Sequence, residues 1–209
     1  MAIPHSELQK INPSSIIELF EVELVEGLHY ATGNPTNVTT TFRFHSGTNI
    51  DSYSNIIWQS NTYERLPIEA QGFEYSGKGK IPRPQLIISN IGGITRNVGG
   101  SNTVIRVTDL LLTVNLITAH NDLLNAKVTR ILTTADNLDA ANFSGNTNPY
   151  GTPSNDQFPQ EIYFIDRKVL ESRDIVQFEM ISALDLQNLR IPKRQVTRKD
   201  FEGVGTFIN

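Results

Sequence analysis

The sequence predicts an α+β fold that is dominated by antiparallel strands in a sheet or barrel, with one main helix and long polar loops. Segments such as 16–24 and 161–170 alternate apolar and polar residues with the period of two that is typical of half-buried strands. Only segment 102–118 has apolar residues mostly three apart, which indicates a helix. Long stretches rich in Asn, Gly, Pro and Thr separate these segments and are typical of loops.

The first elements follow from local patterns. Residues 1–15 are expected to form an N-terminal arm or a short helix, because Asn12-Pro13 disfavours helical continuation. The next segment, 16–24, predicts a strand with one solvated face, and further strands are predicted at 41–45 and from residue 56 onward. The glutamates of the first strand, Glu18, Glu21 and Glu23, are interpreted as a solvated strand surface and not as an acid–base pair.

The chain between Gly72 and Asn90, GFEYSGKGKIPRPQLIISN, predicts a β-arch. Phe73 and Tyr75 alternate with polar neighbours as in a strand, and two glycines at 77 and 79 allow a tight turn. Two prolines then keep the backbone extended, and a β-branched strand runs from 85 to 90.

The tip of this arch carries cations but no phosphate loop. Lys78-Gly79-Lys80 lacks the Ser or Thr of a Walker motif, and the prolines leave no room for the required helix. Two interpretations stay open, a solvated hairpin tip and a contact surface for another protein. The candidate contact residues are Lys78, Lys80, Pro82, Arg83 and Pro84.

This arch, with Ile57–Tyr63 and Leu66–Ile68 before it, resembles the phage minor tail protein L family of lambda-type tail-tip proteins. Members share a turn between a Trp and a Tyr, a P-I…G-F-E strand, a G-K-G tip and an R-P-x-L-x-[IV]-S-N strand in this order. Asn61 is expected to replace the turn glycine, since Asn enters the left-handed region more readily than most residues. The resemblance is strongest over 56–92.

The resemblance implies a structural virion protein of a long-tailed phage, and the lack of any carboxylate or metal constellation in the sequence argues against an enzyme. The resemblance also implies a ring, as a homotrimer, at the tail tip or baseplate hub, assembled in the host cytoplasm. The implied partners are the distal tail protein at the end of the tube and the central tip or fibre hub protein. Residues 16–192 would form the β-rich tail-hub domain, and residues 193–209 a C-terminal tail.

The second half of the chain continues the β pattern. A strand is predicted at 123–133, and Leu138-Asp139-Ala140 resembles a short family motif. Residues 142–158 are expected to form a mobile loop, because they offer almost nothing to bury. A hairpin of 161–170 and 175–183 is predicted, with a bulge near Arg167-Lys168.

Composition and motifs exclude several classes. A net charge of −4 argues against specific nucleic-acid binding, and the absence of cysteine excludes disulfides and thiolate-held clusters. The sequence contains no signal-peptide pattern and no apolar run long enough to span a membrane, so no membrane contact is expected. His45 is expected to face solvent or a neighbour, and Asp136 and Asp139 are interpreted as a solvated loop and not as calcium ligands.

An alternative from another class is a carbohydrate- or receptor-binding β-domain of a phage tail. Its aromatic platform would consist of Trp58, Tyr63, Phe73 and Tyr75. The apolar neighbours Ile56 and Ile57 favour a core position for the tryptophan.

Lambda-type members of the family continue into a cysteine-rich extension that holds an iron–sulfur cluster. Here Gln195 stands about where the first cysteine would lie, so no cofactor and no metal are expected. The cations of this tail, Lys193, Arg194, Arg198 and Lys199, are expected to contact a neighbouring subunit.

Overall fold

The computed structural model describes residues 9–33, 40–47, 55–74, 81–91, 94–98, 101–185, 196–199 and 201–205. Within these ranges, the main elements are eleven strands and one α-helix, α1. Their bounds are β1 Ile16–Glu23, β2 Thr41–His45, β3 Ile56–Trp58, β4 Asn61–Arg65, β5 Ile68–Gln71, β6 Gln85–Ser89, β7 Ile94–Val98, β8 Ser101–Ile105, α1 Val107–Ile117, β9 Lys127–Thr134, β10 Glu161–Glu171 and β11 Ile175–Ser182.

Nine of these strands form one sheet in the order β3-β4-β2-β1-β9-β10-β11-β6-β5. Each neighbouring pair is antiparallel except β2 and β4, which run parallel through a short pairing. Strands β7 and β8 form a separate two-stranded ribbon. The predicted fold class, mostly antiparallel β with one main helix, is confirmed.

Strand β1 lies near the middle of the sheet, between β2 and β9. Phe20 and Val22 belong to the larger core on one side of the sheet, and Ile17 and Leu19 belong to a second core on the other. Successive strand residues point to opposite faces, so the apolar residues at 17, 19, 20 and 22 bury both sides of β1. The prediction of one solvated face is wrong.

Helix α1 covers the larger core. Leu111 and Val114 are almost fully buried, and Val107 and Leu110 pack against the same cluster. The predicted helix began too early, because residues 101–105 pair with β7 as a strand. Val104 has the correct spacing for a helix, but the hairpin partner of β8 decides its conformation.

The start of α1 is fixed by two side chains. The carboxylate of Asp109 accepts a hydrogen bond of 2.9 Å from the Arg106 backbone N–H. The buried amide of Asn90 accepts from the Thr108 N–H at 3.2 Å and donates to the Thr108 hydroxyl at 2.7 Å. It also donates to the Ser172 carbonyl at 3.0 Å. Asn90, the last residue of the family-like R-P-x-L-x-[IV]-S-N segment, thereby ties the helix to the turn between β10 and β11.

Strands β10 and β11 form the predicted hairpin. Their register shifts between Ile165 and Arg167 and again between Lys168 and Leu170, which confirms the predicted bulge. The Ser172 hydroxyl closes the turn by accepting from the N–H groups of Asp174 and Ile175.

The predicted arch is a hairpin whose strands pair within the sheet. Its first strand is β5 at Ile68–Gln71, before the predicted position, and it pairs antiparallel with β6. Gly72 ends β5 with a φ of 78°, a conformation that a side chain would strain. Phe73 is buried outside any strand, whereas Tyr75 lies outside the described residues.

The segment after β9 contains buried polar residues. The side-chain amide of Asn148 donates to the carbonyls of Ala135, Asp136 and Leu138 at 3.0–3.1 Å. Gln157 is only 2% exposed. The expectation that residues 142–158 bury almost nothing is therefore wrong, because amides replace apolar side chains in fixing this segment.

Residues 9–15, the described part of the predicted N-terminal arm, contain no helix. Residues 1–8 of this predicted arm or short helix lie outside the described residues. The proposed boundaries at 15–16 and 192–193 stay predictions.

Candidate assembly surfaces

The candidate contact residues near β6 differ in their surroundings. Pro84 is buried, and its carbonyl accepts a 2.8 Å hydrogen bond from the Met180 N–H, so it extends the pairing of β6 with β11. Pro82 is half-buried. Lys78 and Lys80 lie outside the described residues. Pro84 therefore serves the sheet itself and leaves little side chain for a partner.

Arg83 is paired within its own chain. Its guanidinium donates to Asp185 at 2.6 Å and contacts Glu179 at 3.5 Å. Glu179 also accepts two hydrogen bonds from Arg167, at 2.9 and 2.6 Å. The hydrogen bond from Arg167 and then its charge outweigh burial and lower the pKa of Glu179. Arg83 therefore has carboxylate partners in its own chain, and two arginines neutralise one largely buried carboxylate; the contact role of Arg83 stays a prediction.

The C-terminal candidates are only partly described. Arg198 and Lys199 are exposed and lie in a turn next to Phe201, whose side chain is half exposed. Lys193 and Arg194 lie outside the described residues. Cations beside exposed aromatic surface suit a contact with another chain, so the role predicted for Arg198 and Lys199 stays open.

The outer surface of α1 is a candidate that the sequence reasoning missed. Leu112, Leu116 and Ile117 are 63%, 78% and 47% exposed. Leu112 and Leu116 are four residues apart and lie on the side of the helix opposite the buried Leu111 and Val114, whereas Ile117 follows Val114 by three residues and lies beside it. The signal was present in the sequence, because seven apolar residues on an eleven-residue helix exceed what one buried stripe requires.

The turn between β3 and β4 has two residues in the left-handed region, Gln59 at φ 51° and Ser60 at φ 60°. Asp139, from a segment 80 residues away, accepts from the N–H groups of Gln59 at 3.2 Å and Ser60 at 2.8 Å. Asn61 is a strand residue that pairs with Trp58. Two predictions are wrong here: Asn61 does not occupy the left-handed turn position, and Asp139 is not a solvated loop carboxylate.

The outer edge of β3 is occupied by a side chain. The Asn142 amide accepts from the Ile57 N–H at 2.7 Å and donates to the Ile57 carbonyl at 2.6 Å. It therefore bonds both backbone groups that an added strand would use. This interaction, the Asn142 cap, closes one end of the nine-stranded sheet.

The proposed aromatic platform does not exist as a surface. Trp58, Tyr63 and Phe73 are each at most 8% exposed. The Tyr63 hydroxyl donates to Glu21 at 2.7 Å, and burial followed by this contact raises the pKa of Tyr63. The fourth member, Tyr75, lies outside the described residues. The observed burial removes the basis for a sugar-stacking surface.

The glutamates of β1 are paired and not simply solvated. Glu21 accepts from Arg43 at 2.8 Å, and Glu23 lies 3.1 Å from the Lys127 ammonium. Glu18 and Glu161 both contact Arg130, at 2.5 and 2.7 Å. Burial alone would lower the pKa of Arg130, but the hydrogen bonds to Glu161 and Glu18 outweigh it and raise the pKa. These pairs connect adjacent strands, and their arrangement is structural.

Arg130 also contacts an aromatic ring of the family-like segment. Its guanidinium carbon lies 4.4 Å from the centre of the Phe73 ring, and Phe73 packs edge-on against Tyr163 at 5.4 Å. A cation over a ring face is stabilising. Phe73, from the G-F-E segment, thus fixes the chain after β5 onto the middle of the sheet.

Two histidines, His29 and His45, are buried inside the fold. The sequence predicts that His45 faces solvent or a neighbour, and because it is only 1% exposed, the solvent alternative is wrong. His29 is 2% exposed and joins two turns, since its Nδ1 accepts from the Val25 N–H at 2.7 Å and its Nε2 lies 2.9 Å from the Leu124 carbonyl. Burial lowers the pKa of His29 despite its hydrogen bonds to Leu124 and Asn121. This pattern requires the neutral tautomer with the proton on Nε2.

Asp122 and Lys168 connect the turn after α1 to β10. They lie 2.8 Å apart, and Asp122 also accepts from the Asn115 amide at 2.8 Å. Burial would raise the pKa of Asp122, but the hydrogen bonds from Lys168 and Asn115 lower it overall.

Across the described ranges, no group of three or more His, Asp or Glu side chains is arranged to hold a metal ion. In the same part of the chain, no helix combines the length and apolar character that crossing a membrane requires.

A β-sheet domain whose ionised side chains mostly pair across strands, and whose helix exposes an apolar side, has the features of an assembly subunit. The family model for phage minor tail protein L matches residues 36–202. The chain therefore belongs to the phage minor tail protein L family, a family of structural proteins of phage tails.

One relative adds to this family match. Over 91 residues the chain is 30% identical to the tail tip protein L of Escherichia phage lambda. The alignment covers 43% of this chain and 34% of the relative, so the chain spans about a third of the length of that protein.

Proposed function

We propose that this protein forms a threefold ring at the tail tip or baseplate hub of a long-tailed phage, and that it has no catalytic role. In this proposal the ring joins the distal tail protein at the end of the tube to the central tip or fibre hub protein. The subunits are made in the host cytoplasm and become part of the virion tail. The observation that carries the proposal is the match of the family model over residues 36–202.

The geometry supports an assembly role. Helix α1 exposes Leu112 and Leu116, four residues apart on its outer side, and also Ile117, and exposed apolar side chains close together suit a contact with another chain. Lys78 and Lys80 at the hairpin tip are further proposed contact residues. Arg198 and Lys199 are proposed to contact a neighbouring subunit.

A phage that lacks the gene for this protein tests the proposal. Particles made without it should contain heads but no complete tails in negative-stain electron microscopy, and supplying the protein in trans should restore them. Infectious particles with complete tails in its absence would overturn the proposed role.

A further inference from the structure

The two ends of the nine-stranded sheet are treated differently. The β3 end is closed by the Asn142 cap, whereas the opposite end is β5, which pairs with β6 alone. An uncovered strand edge presents N–H and C=O groups in a row and favours pairing with another strand. Because the β3 edge is capped and the β5 edge is not, the β5 edge is a candidate surface for pairing with another strand.

The register of β5 identifies the backbone groups that point outward. The Ser89 N–H donates to the Pro67 carbonyl at 2.9 Å, and the pairing continues as Glu69 with Ile87. Because bonded and non-bonded pairs alternate along an antiparallel ladder, the N–H and C=O groups of Ile68 and Ala70 face away from β6. In the described part of the chain, no second strand pairs with this side of β5.

The β7–β8 ribbon is the element that lacks a sheet to join. Its two strands pair with each other over Ile94–Val98 and Ser101–Ile105, apart from the main sheet. A two-stranded ribbon is marginally stable in water by itself, so addition to a third strand would stabilise it. The ribbon follows β6 directly in the chain, yet in the subunit its partner position beside β5 is not taken.

The charges of the two elements are complementary. Segment 64–74 contains three glutamates and one arginine, and Glu69 and Glu74 are exposed. Segment 94–106 contains two arginines, Arg96 and Arg106, and no acidic residue. The opposite charges of the two segments favour this pairing. Two β5 edges carry like charges, which oppose their pairing with each other.

We propose that the open edge of β5 in one subunit pairs with the β7–β8 ribbon of a second copy of this chain. The contact is a strand addition, in which backbone hydrogen bonds supply the affinity and the charges favour the correct partner. It joins two different surfaces, and a repeated contact of this kind generates a ring when the rotation closes. This inference rests on the ring proposed above and names the surfaces that would build it.

The substitution Ala70→Pro tests the β5 side. Proline removes the outward N–H of residue 70 and leaves the pairing of Glu69 and Gln71 with β6 in place. Wild-type protein should show a concentration-dependent mass above that of the monomer in analytical ultracentrifugation. The Ala70→Pro variant should stay monomeric with a melting temperature close to that of the wild type.

A charge exchange tests the pairing if Ala70→Pro fails to fold. Glu69→Lys and Arg96→Glu should each weaken association about two- to tenfold, and the double variant should restore it. Glu26→Lys, the same change at an exposed position away from β5, should have no effect on association.

The outcomes separate this inference from the proposed function. An Ala70→Pro variant that folds and still associates like the wild type would overturn the β5 contact and leave the ring standing. Failure of the double charge variant to restore association would also overturn the contact. A wild-type protein that stays monomeric at all concentrations would overturn both the contact and the homo-oligomeric ring.

Discussion

The Asn142 cap gives the sharpest quantitative prediction about the fold. Asn142→Ala removes three hydrogen bonds, with the Ile57 N–H at 2.7 Å, the Ile57 carbonyl at 2.6 Å and the Asp139 carbonyl at 2.7 Å. Each bond contributes about 0.5–1.5 kcal/mol net, and water can reach part of this site. We therefore expect the free energy of unfolding to fall by about 1.5–3 kcal/mol.

Chemical denaturation at constant pH measures this loss, and it corresponds to a melting temperature lower by about 2–4 °C per kcal/mol in a chain of this size. Asn155→Ala is the matched control, because Asn155 is exposed in the same loop, and it should change the stability by less than about 0.5 kcal/mol. Asn142→Asp keeps the acceptor, but it places a carboxylate oxygen against the carbonyl oxygens of Ile57 and Asp139, so this repulsion should make it no more stable than Asn142→Ala.

The same substitution uncovers the edge of β3. We expect Asn142→Ala to associate at concentrations where the control variant does not, since the Ile57 backbone groups become available to another strand. A stability loss no larger than that of Asn155→Ala, together with unchanged association, would refute the capping role.

Three further predictions concern pH, the core and the hairpin tip. Lowering the pH from about 7.5 to about 5.5 should lower the melting temperature. The pKa of His29 is lowered in the fold, so the unfolded chain takes up the proton first, near the ordinary value of 6.5, and is favoured at low pH. His29→Gln should therefore reduce this pH dependence. Leu111→Ala should cost about 2–5 kcal/mol of unfolding free energy, whereas Leu112→Ala on the exposed side of α1 should cost less than about 0.5 kcal/mol, as denaturation would measure. Lys78→Glu with Lys80→Glu should block incorporation into tails without changing the melting temperature of the subunit; a lower melting temperature would place the tip in the core instead.

The sequence patterns predicted the strands well where a local alternation coincides with the tertiary environment. Segments 41–45 and 161–171 form strands close to their predicted bounds, and the bulge near Arg167 appears where the alternation breaks. The pattern failed for Val104, whose spacing of three fits both a helix and the strand β8. A partner strand, and not the local spacing, decides between them.

The side-chain contacts that organise the surface could not be predicted from the sequence, for a different reason. Asp139 and Asn142 lie in an Asn-rich loop, and their hydrogen bonds to Ser60 and Ile57 join residues about 80 positions apart in the chain. No local pattern encodes such a pairing. Arg83 likewise finds its carboxylate partners on β11 and just after it, which composition alone cannot show.

The family resemblance added what patterns could not, and the structure gives part of it a physical basis. Asn90 holds the start of α1, Phe73 packs under Arg130, and Leu86 is fully buried next to Phe178 in the larger core. These motif residues therefore explain why the hairpin of β5 and β6 keeps its place in the sheet. They do not by themselves determine which partner the exposed surfaces meet.

The most direct test of the proposed function is a cryo-electron microscopy reconstruction of the tail end of the virion. The account predicts a threefold ring between the end of the tube and the central tip protein, with one nine-stranded domain of this fold in each subunit. It would be contradicted by a tail end that lacks this domain, or by copies of it that lie elsewhere on the particle.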